Sequence, residues 1–228
     1  MKNQIKTIAF DADDTLWENE PYFREAEMAF TKLLPNSPAD EVTKELFDIE
    51  MKNLRMYGYG IKGVMLCMIE TLAKLSSDKI DQSLIAQILE IGHQLLQKPI
   101  LLLDGIEETL KHLQGNYRLV VATKGDLLDQ ERKLEKSGLA KYFHHIEIMS
   151  DKQPANYRKL IKHLDCKPEN FLMVGNSLKS DILPVLALNA FAVEVPFHTT
   201  WLHEMHDEPI DHPNFVSVKS IDHIIPLL

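Results

Sequence analysis

Cysteine is scarce in this chain: Cys67 and Cys166 are the only two among 228 residues, and no CxxC spacing occurs. That argues against a disulfide framework and a zinc–thiolate site, and it suits a reducing compartment. Long apolar runs are missing as well. In the opening "MKNQIKTIAFDADD" only three apolar residues stand together before the acids begin. This is too short for the core of a signal peptide, and no run approaches the length of a membrane span. A basic excess is also lacking, since 34 acidic residues face 25 basic ones for a formal net charge of −9. Such a balance offers nothing to a nucleic acid polymer or an anionic membrane, but suits carboxylates gathered around a hard cation. Repeats and low-complexity segments are absent too. What remains is an ordinary globular composition, 45% hydrophobic and 26% charged, for which a cytoplasmic location is the expectation.

The chain changes rhythm twice. Residues 8–10 read as a short buried strand. From about Tyr22 to Lys98 the apolar residues recur at spacings of three and four, in "FREAEMAFTKLL", "VTKELFDIEMKNL", "VMLCMIETLAKL" and "LIAQILEIGHQLL", which predicts four helices packed as a bundle. "PNSPAD" supplies a break and an N-cap before the second helix, and "SSDKIDQS" separates the last two. After "QKPILLLDG" helices and strands alternate. "YRLVVATKG", "HHIEIMSDK", "FLMVGNS" and "AFAVEVPF" read as strands, and "IEETLKHLQ", "LLDQERKLEKSG", "ANYRKLIKHLD" and "LKSDILPVLALN" as helices. Gly138 closes the second of these helices. Alternation of this kind implies βαβ units and a parallel sheet. The expected architecture is a doubly wound, Rossmann-like α/β core from residues 1–17 and 100–228, with residues 18–99 inserted as an all-helical domain after the first strand.

In sheets of this type ligands bind at the carboxyl ends of the strands. The residues at those ends are Asp11-Ala12-Asp13-Asp14-Thr15, Thr123-Lys124-Gly125, Ser150-Asp151-Lys152 and Gly175-Asn176-Ser177, with Asp181 just beyond. Carboxylates with a divalent cation would neutralise one side of a phosphate, while threonine and lysine donors would hold its oxygens. A carboxylate beside the metal could act as nucleophile.

In order and spacing, "DADDT", the threonine of "VVATKG", the lysine of "SDKQP" and "GNSLKSD" resemble the haloacid dehalogenase superfamily, and its phosphatase branch in particular. The resemblance extends over nearly the whole chain. It implies that Asp11 attacks phosphorus and becomes an aspartyl-phosphate, and that Asp13 serves as acid and then base. It further implies that Mg2+ is held by Asp11, the Asp13 carbonyl and Asp181, and that Thr123 and Lys152 grip the phosphoryl group. Three positions depart from the family. Asp14 stands where a small residue is common and is read here as a turn or cap. Asn176 stands where Asp is common, and keeps an oxygen for the metal with one charge fewer. Lys124 stands where Asn is frequent, and adds a phosphate or substrate donor.

The helical insert would hang over the site as a cap, with Gly58, Gly60 and Gly63 punctuating a loop that carries Arg55, Tyr57, Tyr59 and Lys62 as candidates for the leaving group. His198, His203, His206 and His212, near Glu204 and Asp207, fit no helical metal motif and are read as exposed loop histidines. The expected activity is a Mg2+-dependent phosphatase for a small phosphorylated metabolite, a nucleotide or a sugar phosphate among them. A phosphomutase, a haloacid dehalogenase and a catalytically inactive binding protein are the alternatives on the same scaffold.

Overall fold

The computed structural model describes residues 4–76 and 80–228, so that residues 77–79 of the expected "SSDKIDQS" break lie outside it. Six parallel strands form one sheet: β1 Thr7–Phe10, β2 Arg118–Lys124, β3 His145–Met149, β4 Phe171–Gly175, β5 Phe191–Glu194 and β6 Phe215–Ser217, in the order β3-β2-β1-β4-β5-β6. β1 is central because both of its faces are apolar, as a parallel strand covered on two sides requires. Ile8 and Phe10 pack on one face with Leu119, Val121, Leu172 and Val174. Ala9 packs on the other with Val120, Ala122, Phe171 and Met173.

Helices α5 (Ile106–Leu113) and α6 (Leu127–Ser137) supply Ile106, Leu110, Leu113 and Leu134 to the first face. Helices α7 (Pro154–His163) and α8 (Leu183–Leu186) supply Tyr157, Leu160, Ile161, Val185 and Leu186 to the second. Fully burying one such aliphatic or aromatic side chain is worth about 1.5–3 kcal/mol. The same burial fixes the register: Phe10 stands opposite Val121 on one side and Val174 on the other.

The chain divides into two compact units. The sheet unit comprises Met1–Glu20, Ile100–Lys124 and Gln130–Leu228; the helical unit comprises Pro21–Pro99 with Gly125–Asp129. Four helices fill the latter: α1 Glu20–Thr31, whose first residue still belongs to the sheet unit, α2 Ala39–Tyr57, α3 Ile61–Leu75 and α4 Gln82–Gln97. Their apolar faces meet in a core of their own around Phe30, Val42, Leu46, Met68, Leu72 and Ile88.

Three local expectations need correction. Pro38 occupies the N-cap of α2 and offers no side-chain hydrogen bond; Asp40 and Glu41 in the first turn favour that end through the helix dipole instead. The stretch "LKSDILPVLALN" is not one α-helix. Residues Leu178–Ile182 form a π turn, in which the Ser177 carbonyl accepts from both Asp181 N–H (2.8 Å) and Ile182 N–H (3.3 Å), before the short α8. The C-terminal part adds β6 and a 3-10 helix over Ile221–Leu227, neither of which the apolar pattern predicts. Among the described residues no helix is long and apolar enough to cross a membrane.

Candidate functional site

The carboxyl ends of β1, β3 and β4 converge. Asp11 follows the last residue of β1, and its N–H donates to the Val174 carbonyl (2.9 Å), which pins it beside the end of β4. Lys152 follows β3 and is only 1% exposed. Its Nζ donates to Asp11 Oδ1 at 2.5 Å and to Asp181 Oδ1 at 2.6 Å. Asp181 is fully buried, and its Oδ2 accepts from the Ser177 N–H at 3.0 Å. Tyr157 closes the cluster from α7, donating to the Ser180 carbonyl at 3.0 Å with Asp181 Oδ1 at 3.5 Å. Gly175 has to be glycine here: a Cβ would stand 2.3 Å from Asp181 Oδ2.

Two carboxylates therefore share one ammonium. Burial and then Asp181 push the Asp11 carboxyl above its ordinary range, against the pull of Lys152. Burial works to strip Lys152 of its proton, but Asp11 and Asp181 outweigh it and hold the ammonium charged. Buried charges demand pairing, and this trio is left with one negative charge in excess.

Asp13 lies only two residues from Asp11, yet its carboxylate meets an entirely different set of groups. Trp17 Nε1 donates to it at 2.7 Å, Gln130 Nε2 at 2.8 Å, and Lys133 Nζ at 3.0 and 3.2 Å. The separation arises because the chain leaves the extended path after Phe10. Leu16 N–H turns back to the Ala12 carbonyl (2.8 Å), Asp14 N–H bonds the Trp17 carbonyl (2.7 Å), and Asp14 adopts a left-handed φ of 60°. The Asp14 carboxylate accepts from the Asn19 and Glu20 N–H groups at 2.8 and 3.0 Å, so that it shapes the turn and tethers the start of α1. Burial, followed by Asp13, pushes the Asp14 carboxyl up to about 8.

Thr123 is the second-to-last residue of β2, with its side chain buried and its Oγ1 3.4 Å from the Lys124 carbonyl. Asn176 is half-buried, and its Oδ1 accepts from Thr15 Oγ1 at 3.1 Å. Lys124 differs from the free donor expected of it. Its Nζ pairs with Glu204 and reaches Ser180 Oγ at 2.8 Å. Burial pushes the Glu204 carboxyl up, but Lys124 and hydrogen bonds from Lys124, Ser177 and Ser180 prevail and leave it at about 2.

As a cation site the cluster offers oxygens only: the Asp11 and Asp181 carboxylates, the Asn176 amide oxygen and nearby main-chain carbonyls. Hard oxygen donors with a net negative charge suit Mg2+ rather than a nitrogen- or sulfur-seeking metal. Among the described residues Asp11 Oδ2 accepts no hydrogen bond, which leaves a lone pair for such an ion. The donor set fits.

The family model for haloacid dehalogenase-like hydrolases matches residues 5–188, a span that contains every one of these strand-end residues except Glu204. The chain belongs to the haloacid dehalogenase-like hydrolase family. A solved haloacid dehalogenase-like hydrolase from Xanthomonas campestris is 36% identical, with a TM-score of 0.86 over 96% of this chain and 89% of that one. The magnesium-bound HAD-hydrolase YfnB from Bacillus subtilis shares the fold at 19% identity, with a TM-score of 0.65 and 99% of both chains covered. A curated relative, the glyceraldehyde 3-phosphate phosphatase of Methanothermobacter thermautotrophicus, is 24% identical over 98% of each chain.

Several groups around the strand ends of this haloacid dehalogenase-like hydrolase escape sequence reasoning. Gln130 and Lys133 sit three apart on α6, and that shared helix face is the signal that could have found them. Trp17 follows Asp13 by four residues, just beyond the first motif. Glu204 gives no such signal, standing alone between histidines. Of those histidines only His198 is exposed, while His203, His206 and His212 are half-buried; the His203 ring lies 4.9 Å from that of Trp201. Arg55, Tyr57, Tyr59 and Lys62 belong to the helical unit. There the Tyr57 hydroxyl donates to Glu70, Lys62 pairs with Asp126 at 2.8 Å, Arg55 is exposed and Tyr59 half-buried.

Proposed function

We propose that this hydrolase is a Mg2+-dependent phosphatase that acts on a small phosphorylated metabolite through an aspartyl-phosphate on Asp11. The observation that carries the reading is the division of labour between Asp11 and Asp13. One carboxylate is bound into the Lys152–Asp181 cluster and the other is held apart by Trp17, Gln130 and Lys133. An Asp11 oxygen attacks phosphorus as the ester P–O bond breaks, and Asp13 gives its proton to the departing oxygen. Asp13 then takes a proton from the water that attacks phosphorus, which releases orthophosphate and restores Asp11.

Lys133 balances the charge of Asp13 while it works as the base. Gln130 suits both half-reactions, because its Oε1 is buried and among the described residues has no hydrogen-bond partner. A half-turn of its amide converts a donor to the carboxylate into an acceptor from the protonated acid. Lys152 offsets the charge that builds up when one anion attacks another, and Thr123 donates its hydroxyl to a phosphoryl oxygen. Asp11, the Asp13 carbonyl, Asn176 and Asp181 are the residues that would hold Mg2+, which when bound supplies positive charge to the phosphoryl oxygens. The helical unit acts as the cap, with Arg55, Tyr57, Tyr59 and Lys62 offered to the leaving group. The glyceraldehyde 3-phosphate phosphatase relative supports a small phosphorylated carbonyl compound or sugar as the substrate class.

The test is orthophosphate release from a chromogenic phosphate ester, with and without EDTA, for the wild type and Asp11→Asn. Release should need the metal and vanish in the variant. Hydrolysis indifferent to both EDTA and Asp11→Asn would refute the reading, and return of the phosphoryl group to a second substrate hydroxyl would mark a mutase.

A further inference from the structure

A second group of ligating side chains lies away from the strand ends that carry the catalysis. His145 and Glu147 stand two apart in β3, so both project from the same face of the sheet. It is the face on which Met149 packs with Tyr157, Leu160 and Ile161 of α7. His163, in the last turn of α7, comes down beside them. His145 Nε2 is 2.8 Å from Glu147 Oε2, His163 Nδ1 is 3.6 Å from the same oxygen, and the two imidazole rings meet edge to face at 4.9 Å. One ligand atom from each residue lies within 4.8 Å of the other two; among the described residues no other group of three His, Cys, Asp or Glu side chains does so. The side chains are 29%, 30% and 65% exposed, so an ion has open access.

We propose that His145, Glu147 and His163 form a binding site for a divalent transition metal of the Zn2+ type, with water at the remaining position. Zinc bonds of about 2.0–2.2 Å to nitrogen and oxygen place tetrahedral ligands roughly 3.3–3.6 Å apart, and small side-chain rotations bring these three atoms to that spacing. Two imidazoles beside one carboxylate select Zn2+ over Mg2+, whereas the oxygen-only cluster at Asp11 does the reverse. The two metals thus sort by donor chemistry. β3 is an edge strand, and a metal here clips it to the far end of α7. The connection between these two elements carries Lys152, so the clip braces the βα unit that delivers that lysine. Metal bound only to the native chain stabilises it by mass action.

The test uses the full chain with ZnCl2 in the presence of excess Mg2+. Equilibrium dialysis with metal analysis should find one zinc per chain in the wild type. The count should be unchanged in Asp11→Asn and lost in His145→Ala/His163→Ala. Zinc should raise the melting temperature of the wild type and leave that of the double variant where it was. If the double variant fails to fold, His163→Ala alone, at the most exposed of the three positions, should lose the zinc equivalent. A wild type that binds no zinc, or a zinc equivalent that survives loss of these histidines, overturns the proposal.

Discussion

Two ion clusters meet at the segment 177–181 and follow opposite rules. Lys124 and Glu204 pair one to one, and hydroxyls from Ser177 and Ser180 complete the carboxylate's hydrogen bonds. Lys152 is shared by Asp11 and Asp181, two carboxylates for one ammonium, in nearly complete burial. The first cluster is complete as it stands and does the work of structure. The second is one positive charge short, and under the proposed function that shortfall is what a cation and an incoming phosphoryl group would exploit. Charge completeness, more than the presence of acids and bases, separates a scaffold pair from a reactive one.

The sharpest way to break the contrast is Lys152→Met. Leaving two buried carboxylates without their ammonium should cost about 3–5 kcal/mol of stability, read as a lowered urea midpoint, and abolish turnover. If the variant were as stable as the wild type, the cluster would not depend on its shared lysine. Glu204→Gln should come next. Its carboxyl falls from an ordinary 4.5 to about 2 on folding, so the pair contributes on the order of 3 kcal/mol above pH 4.5. A group with a lowered pKa loses that contribution as pH falls. The stability gap between wild type and variant should therefore be full at pH 6 and close between about pH 4.5 and 2. A gap independent of pH would remove the ion pair as its source.

Gly175→Ala should be milder in stability, about 1–3 kcal/mol for forced repacking. Its mark should be lost activity, because the new Cβ displaces Asp181; a fully active variant would show that Asp181 can shift without consequence. Smallest is Asn176→Ala, expected to weaken Mg2+ in an activity titration by about tenfold, the scale of losing one supporting group at a metal. An unchanged titration would place Asn176 outside the metal's reach.

The parts legible in the sequence were those with either a strong period or a chemical necessity. Helical spacing revealed α1 to α4, and apolar runs leading into Asp11, Thr123, Lys152 and Asn176 revealed four strands with the polar residues that follow them. β6 stayed hidden because Phe215–Ser217 is three residues long and gives no period to count. The π turn stayed hidden because shifting a few hydrogen bonds by one residue leaves no mark in five positions. Lys124 looked like a free donor because Glu204, its partner, is eighty residues away. Long-range pairing of single charges carries no local pattern. The groups that hold Asp13 apart from Asp11, namely Trp17, Gln130 and Lys133, were not legible in the sequence.

The π turn at Leu178–Ile182 also has a meaning for gaps and alignments. Such a turn is an α-helical turn with one residue too many. Deleting any single residue from positions 178–180 would restore ordinary winding and swing Asp181 about 100° around the axis, away from Lys152. Exposed Lys179 sends its Nζ away from the turn to the His203 carbonyl (2.8 Å) and takes no part in the Asp181 contacts, whereas the count of residues between Ser177 and Asp181 cannot change. In this segment the length of the chain is as constrained as the identities of Ser177, Ser180 and Asp181.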